Sequence, residues 1–342
     1  MRLSPNVAII AAAGARKTQT VIDAALADPA QRVLITTYTN ENLRQIAMRI
    51  EQINGVVPAH VRIAGWFSFL LSDGVRPYQS ALFNEVGVVA GLNFIGQRNR
   101  FAKGGTREYF IDRNHDVYRD GVSDLVCKLD TKSAGRVIRR LEAIYDHIYI
   151  DEVQDLVGYD LDFLDLLFGS KIAITVVGDP RQHTFATNNG PKNKRYRGAG
   201  LIDWLQERAA VCEREDRAVS HRCNQEICDF ASALFPQFPA ITSAHETVTG
   251  HDGIQFVSRF EVLDYAHTHR PEVLRYDKRA NTQGLPAINF GVSKGSTYDR
   301  VLIFPTKPIR EYLEHRDPAK LKRPEALYVA VTRARFSVAF VE

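Results

Sequence analysis

Residues 147–156 read HIYIDEVQDL, an apolar run that stops at two adjacent carboxylates, Asp151 and Glu152. Apolar and β-branched residues in an uninterrupted short run predict a buried strand of a parallel sheet. Such sheets bind ligands beyond the C-terminal ends of their strands. Paired acids delivered there suit a magnesium ligand beside a catalytic base, as in nucleotide-hydrolysing cores. The same two acids also fit a plainer role, the capping of a following helix. Only further motifs separate the two.

Working outward, residues 7–13, VAIIAAA, predict another buried strand, followed by Gly14, Ala15, Arg16, Lys17 and Thr18 and an amphipathic helix through Val21, Ile22 and Ala25. Strand, small-residue turn, Lys-Thr and helix form a phosphate-loop pattern. Backbone N–H groups of Gly14, Ala15 and Arg16 would cradle phosphate, Lys17 would neutralise its charge, and the Thr18 hydroxyl would ligate magnesium. Ala11 and Arg16 stand where the pattern usually has glycine. Arg16 matters more, because a left-handed backbone there costs a side-chain-bearing residue about 1–2 kcal/mol. An accidental strand-turn-helix is the alternative.

Residues 33–39, VLITTYT, predict a second strand, whose exit carries Tyr38, Thr39 and Asn40 ahead of a helix. A third strand begins near Val61 and leads into Trp66 and Phe67. From 73 to 146 the pattern loosens, and Arg98, Arg100, Lys103, Arg107 and Arg113 alternate with Phe101, Tyr109 and Phe110. Cations interleaved with aromatics suit single-stranded nucleic acid, and suit at least equally a solvated and partly packed insertion. A helix is expected over 134–144 and another over 161–168. The strand 172–177 then ends in Gly178, Asp179, Pro180, Arg181 and Gln182, where a glutamine can sense a γ-phosphate or orient water. Residues 192–200, KNKRYRGAG, look like a flexible basic loop. The second half repeats the strand-helix rhythm without a short repeat.

The chain has 342 residues, 45% hydrophobic and 25% charged, with a formal net charge of +4. That is ordinary globular composition, long enough for two domains and only mildly inviting to a polyanion. Four cysteines, Cys127, Cys212, Cys223 and Cys228, make no disulfide framework and fit a reducing compartment. His221, Cys223 and Cys228 lack the second half of a zinc site. No stretch approaches the roughly 20 apolar residues of a membrane span, and no signal pattern opens the chain, so a cytoplasmic protein without membrane association is expected.

Taken together and in order, the motifs resemble those of the UvrD/Rep-like superfamily 1 helicases. AAAGARKT (11–18) is similar to the phosphate loop, TYTN (37–40) to the next motif, IDEVQD (150–155) to the magnesium and base motif, and VGDPRQ (177–182) to the coupling motif. HRCNQEI (221–227), SKGSTYDRVLI (293–303) and LYVAVTRAR (327–335) resemble the three later motifs. The resemblance implies an α/β fold of two RecA-like P-loop domains with parallel sheets and the nucleotide at the interdomain cleft. The first would span 1–205, with an insertion at about 74–146, and the second 206–342. It implies ATP and Mg2+ as cofactors and single-stranded DNA as partner, with ATP hydrolysis driving translocation or unwinding, in this family usually 3′ to 5′.

Carried over by position, Thr18 and Asp151 hold the metal and Glu152 activates water. Gln182 couples nucleotide to strand, Arg222 and Arg333 stabilise transition-state charge, and Gly295 permits close backbone approach. Tyr38, Asn40, Phe67, His183 and Phe185 are the candidates for contact with DNA. Several positions depart from the family. No segment before the phosphate loop matches the adenine-reading glutamine motif, Ser296 and Thr297 replace a Leu-Glu pair, Thr187 replaces a stacking aromatic, and the large second-domain insertion is missing. The chain is therefore expected to be a compact motor core, fitting a partner protein in a repair, phage or defence complex. A nucleotide-binding DNA sensor or regulatory subunit with weak hydrolysis is the rival, and a metabolic phosphotransferase a more distant one.

Overall fold

The computed structural model of the chain describes residues 6–83, 89–96, 98, 101–188 and 190–342; Arg100 of the basic segment lies outside them. The chain divides into two compact units. The first takes residues up to Ile10, Lys17–Pro180 and Phe185–Glu215; the second takes Ala11–Arg16, Arg181–Thr184 and Asp216–Glu342.

The first unit begins with β1 (Val7–Ala11), α1 (Lys17–Ala27), β2 (Val33–Thr37), α2 (Asn40–Asn54), β3 (Val61–Gly65) and α3 (Trp66–Phe69). Next come β4 (Leu92–Asn93), α4 (Arg107–Phe110), β5 (Val117–Tyr118), α5 (Val122–Lys132) and α6 (Arg136–Ile144). It closes with β6 (His147–Asp151), α7 (Tyr159–Phe168), β7 (Ala173–Gly178), α8 (Leu201–Gln206) and β8 (Glu213–Arg217). The main sheet runs β3-β2-β6-β7-β1-β8, and the ladders from β3 to β1 are parallel. A central parallel strand is covered on both faces, which is why all five residues of β2, VLITT, are buried. Parallel register also brings strand ends to one edge: Ile10 pairs with Gly178, Asp151 with Val177 and Thr37 with Gly65.

Local chemistry sets the helix ends. Thr39 caps α2 by accepting the Asn42 N–H at 3.2 Å, and Gly55 ends it with φ of 84°. Within the stretch where the pattern loosens, Val117, Val122, Leu125, Val126 and Leu129 are buried core with Trp66 and Phe69, joined by Val137 and Leu141 of the helix expected over 134–144. The loop expected to be flexible at 192–200 folds into short 3-10 turns. Its own arginines tie it down, with Arg197 donating to Gly190 O at 2.7 Å and Arg195 lying over the buried Tyr196 ring at 4.5 Å.

The second unit comprises β9 (Val219–Ser220), α9 (Gln225–Ala233), β10 (Thr242–Ser243), β11 (Gly253–Val257), α10 (Val262–His269) and β12 (Glu272–Arg275). It continues through β13 (Ile288–Asn289), β14 (Tyr298–Phe304), α11 (Lys307–His315), α12 (Pro324–Val331) and β15 (Ala334–Val341). Its sheet runs β11-β15-β14-β12-β13 with parallel ladders. Strand alternation feeds both faces. Val301, Ile303, Val338 and Phe340 pack with α9, α11 and α12, whereas Leu302, Phe304, Ala339 and Val341 pack with Val262 of α10. The expected mixed α/β architecture with parallel sheets is therefore present in both units. Among the described residues, no helix is long and apolar enough to cross a membrane.

Candidate nucleotide and nucleic-acid site

In the first unit, α1 starts at Lys17, so Lys17 and Thr18 sit at a helix N-terminus, whose dipole favours an anion. The Thr18 hydroxyl donates to Asp151 Oδ2 at 2.9 Å, joining the phosphate-loop helix to the tip of β6. Asp151 is buried. Burial first, and then the neighbouring Glu152 carboxylate, push its acid up to about 6, while the Thr18 hydrogen bond and Lys17 pull the other way. A carboxylate that desolvation disfavours, beside a hydroxyl, is a hard-oxygen donor pair suited to magnesium, which binds through one or two protein oxygens plus phosphate.

Glu152 adopts a left-handed backbone, φ 61°. A non-glycine residue held there is backbone strain of the kind concentrated at functional sites. Its side chain is held by a neighbour missed at the sequence level. Gln154, 1% exposed, donates through Nε2 to the Glu152 carboxylate and accepts the Asp179 N–H at 3.0 Å through Oε1. Gln154 thus ties the base candidate on β6 to the tip of β7. Gly178 makes this fit possible, since a Cβ there would strike Gln154 Oε1 and stand 2.8 Å from Val153 Cγ1. The signal in the sequence was a neutral amide set between the acids of the IDEVQD motif.

The second unit holds the loop residues Gly14, Ala15 and Arg16. Gly14 has φ 80°, and a Cβ on it would meet the Ser220 hydroxyl and approach Arg222 Cβ to 2.8 Å, so glycine is required on two grounds. Its carbonyl accepts the His221 N–H at 3.0 Å. Ala15 is buried, whereas Arg16 is exposed with φ 56°, the left-handed conformation anticipated for that position.

Arg222 donates to Thr332 O at 3.0 Å. Arg333 is buried and spreads its guanidinium over Val329 O (3.1 Å), Ser296 O (3.3 Å) and Gln182 Oε1 (3.2 Å). Gln182 and Arg333, 151 residues apart in sequence, therefore meet. Gly295, φ 92°, precedes the Ser296 carbonyl of this set. Two more contributors went unforeseen. Tyr328 accepts the Ala13 N–H at 3.2 Å, and the buried Arg181 guanidinium lies 5.4 Å from the Tyr328 ring centroid and 5.2 Å from that of Phe238.

Of the DNA-contact candidates, Tyr38 and Phe67 lie together, ring centroids 5.7 Å apart and edge-on. Asn40 is exposed at the first turn of α2, and Phe185 is exposed, while His183 is half-buried. Within the basic segment, Arg98 proves structural. It lies 4.9 Å from the Tyr109 ring centroid, donates to Asp120 O and pairs with Asp124 at 3.7 Å. Phe110 is buried, but Phe101, Lys103 and Arg113 remain exposed. Thr187, in place of the stacking aromatic, is buried and donates to Asp160, which also accepts from Trp66 Nε1 at 2.8 Å and from Ser123. The thiols of Cys223 and Cys228 are buried, and burial raises both, that of Cys228 to about 12.

The family model of the UvrD/REP helicase N-terminal domain matches residues 97–191, which include the β6 and β7 motifs. No curated protein matches the chain in sequence. Among solved structures, the fold is similar to that of the arterivirus nonstructural protein 10 helicase. The TM-score is 0.51 at 15% identity, over 98% of this chain and 59% of that one. The complex of an arterivirus nonstructural protein 10 helicase with DNA gives 0.52 at 15% identity, over 98% and 61%. The chain thus spans about three fifths of the length of these helicases, and at this identity the likeness concerns the fold.

Proposed function

We propose that the chain is a UvrD-like superfamily 1 helicase, an ATP-driven motor that translocates on single-stranded DNA, 3′ to 5′, with duplex unwinding as its output, a reading supported by the family match over residues 97–191. The observation that carries this is the Thr18–Asp151 hydrogen bond of 2.9 Å, which joins a Lys-Thr phosphate-loop helix to an acidic strand tip beside Glu152. In this proposal Lys17 and the helix N-terminus bind the β- and γ-phosphates. Gly14, Ala15 and Arg16 line the loop with their N–H groups. Thr18 and Asp151 hold the magnesium ion, which when bound neutralises phosphate charge.

Glu152 accepts the proton of the attacking water, and Gln154 keeps its carboxylate oriented. Arg222 and Arg333 meet the charge that develops on the transferred phosphoryl group; arginines in such roles contribute about 10³–10⁵ in rate. Gln182, hydrogen-bonded to Arg333, passes the state of the nucleotide toward the strand. Tyr38 and Phe185 offer rings to bases, the buried Phe67 supports the Tyr38 ring from behind, and Asn40 and His183 are polar contacts.

The deciding experiment is steady-state ATP hydrolysis with and without a single-stranded oligonucleotide, beside a Glu152→Gln control. Strand-stimulated turnover that disappears in the control supports the motor. Nucleotide binding with no turnover above the control defeats it and favours a DNA sensor with weak hydrolysis. The left-handed Arg16 supports that second reading, because a side chain there strains the loop that must present phosphate.

A further inference from the structure

The β4–β5 segment of the first unit presents a turn with an unusual combination of rigidity and apolar exposure. Asn93, paired in register with Tyr118, accepts the N–H groups of Ile95 at 3.0 Å and Gly96 at 2.6 Å through Oδ1, and donates through Nδ2 to Asp112 at 2.6 Å. A Cβ on Gly96 would stand 2.6 Å from Asn93 Nδ2. Asp112 is itself fixed, accepting the N–H groups of Asn114 at 2.8 Å and Asp116 at 2.9 Å. On this clamped turn Phe94 is 56% exposed and Ile95 97% exposed. Exposing two large apolar side chains on a turn that the Asn93 side chain already holds gains nothing for folding, which points to a ligand with an apolar face.

The neighbours of Phe94 narrow the ligand. Its ring lies edge-on to Phe67 at 5.7 Å and 76°, and Phe67 lies edge-on to Tyr38 at 5.7 Å and 71°. The three rings form one chain beginning at the exit of β2 and ending in solvent. Phe67 is 6% exposed, so it backs the row and leaves the outer face of Phe94 open. Burial raises the Tyr38 phenol and the Arg119 charge opposes part of that rise, and the same segment exposes Lys103 and Arg113. An exposed aromatic face on a segment that also carries exposed cations matches a polyanion whose units carry flat apolar rings.

We propose that Phe94 is a nucleobase-stacking residue, extending the Tyr38–Phe67 pair into a platform on which one base of a single strand rests. The inference depends on the nucleic-acid-binding part of the function proposed above. The test is fluorescence anisotropy of a labelled oligothymidylate with the full chain and its Phe94→Ala and Phe94→Trp variants. The strand is offered intact and with abasic positions.

The expected result is binding weakened about 5- to 100-fold by alanine, the range that loss of one base–aromatic stack produces. Tryptophan should restore it, and the alanine effect should vanish on the abasic strand. Equal affinity of wild type and Phe94→Ala for the intact strand overturns this inference and leaves the motor standing. Failure of the wild type to bind any strand overturns both. Loss of self-association in Phe94→Ala by sedimentation, with strand binding intact, shows a protein-docking patch and overturns the stacking role.

Discussion

Replacing Gln154 by leucine tests whether the candidate base depends on the bridge between β6 and β7. The substitution keeps most of the buried volume and removes two hydrogen bonds, one to the Glu152 carboxylate and one from the Asp179 N–H at 3.0 Å. A bond to a charged group contributes about 1.5–3 kcal/mol and a neutral one about 0.5–1.5 kcal/mol. Added apolar burial offsets part of that, leaving a net destabilisation of about 1–3 kcal/mol, which a core of this size tolerates. The larger effect falls on rate, because a carboxylate released from its partner at a strained backbone position drifts, and a misplacement of about 1 Å costs on the order of 10²-fold.

Steady-state ATP hydrolysis with saturating oligonucleotide should therefore show kcat reduced about 10- to 100-fold, with KM changed no more than a few-fold. The double variant Glu152→Gln with Gln154→Leu should be no slower than Glu152→Gln alone, since the glutamine acts through that carboxylate. A folded Gln154→Leu protein with wild-type kcat refutes the positioning role. So does a double variant whose losses simply multiply.

Arg16→Gly should relieve a left-handed backbone worth about 1–2 kcal/mol while adding about 0.5–1 kcal/mol of chain entropy to the unfolded state. Nucleotide affinity measured by fluorescent ADP titration is expected to rise by up to about fivefold, and weaker binding would show that the Arg16 charge outweighs the strain. Asp160→Ala removes the acceptor shared by Trp66, Ser123, Thr187 and the Val157 N–H, and should cost about 3 kcal/mol or more in denaturant unfolding. Faster hydrogen exchange over 185–188 should accompany it, because Thr187 loses its anchor. His147, which shares a 2.9 Å hydrogen bond with Thr175 and stacks on Tyr149, is lowered from 6.5 to about 4 by burial. The unfolded chain therefore takes up the proton first, so its contribution is complete above pH 6.5 and declines as pH falls toward 4. His147→Gln should flatten the acid-side slope of the denaturation midpoint in that window; parallel profiles would contradict it.

Much of the fold was legible because its strands are short, apolar and bounded by turns. HIYID and VLITT become β6 and β2, while VAIIAAA yields a strand that stops at Ala11 as the backbone turns toward the positive φ of Gly14. Local composition also determined the order of the phosphate-loop, acidic and arginine motifs, and it marked position 16 as one where a side chain would meet a left-handed backbone. What it could not determine is contact between residues far apart in the chain. The partners of Gln154 belong to two strand tips that only parallel pairing brings side by side. Gln182 reaches Arg333 across 151 residues, and Arg98, basic and flanked by aromatics, is absorbed by Tyr109, Asp120 and Asp124 instead of facing solvent. Periodicity reports which face of a segment avoids water, because burial acts residue by residue along the chain. Which polar group answers which depends on the register and order of the sheets, and that is decided only when the whole chain packs.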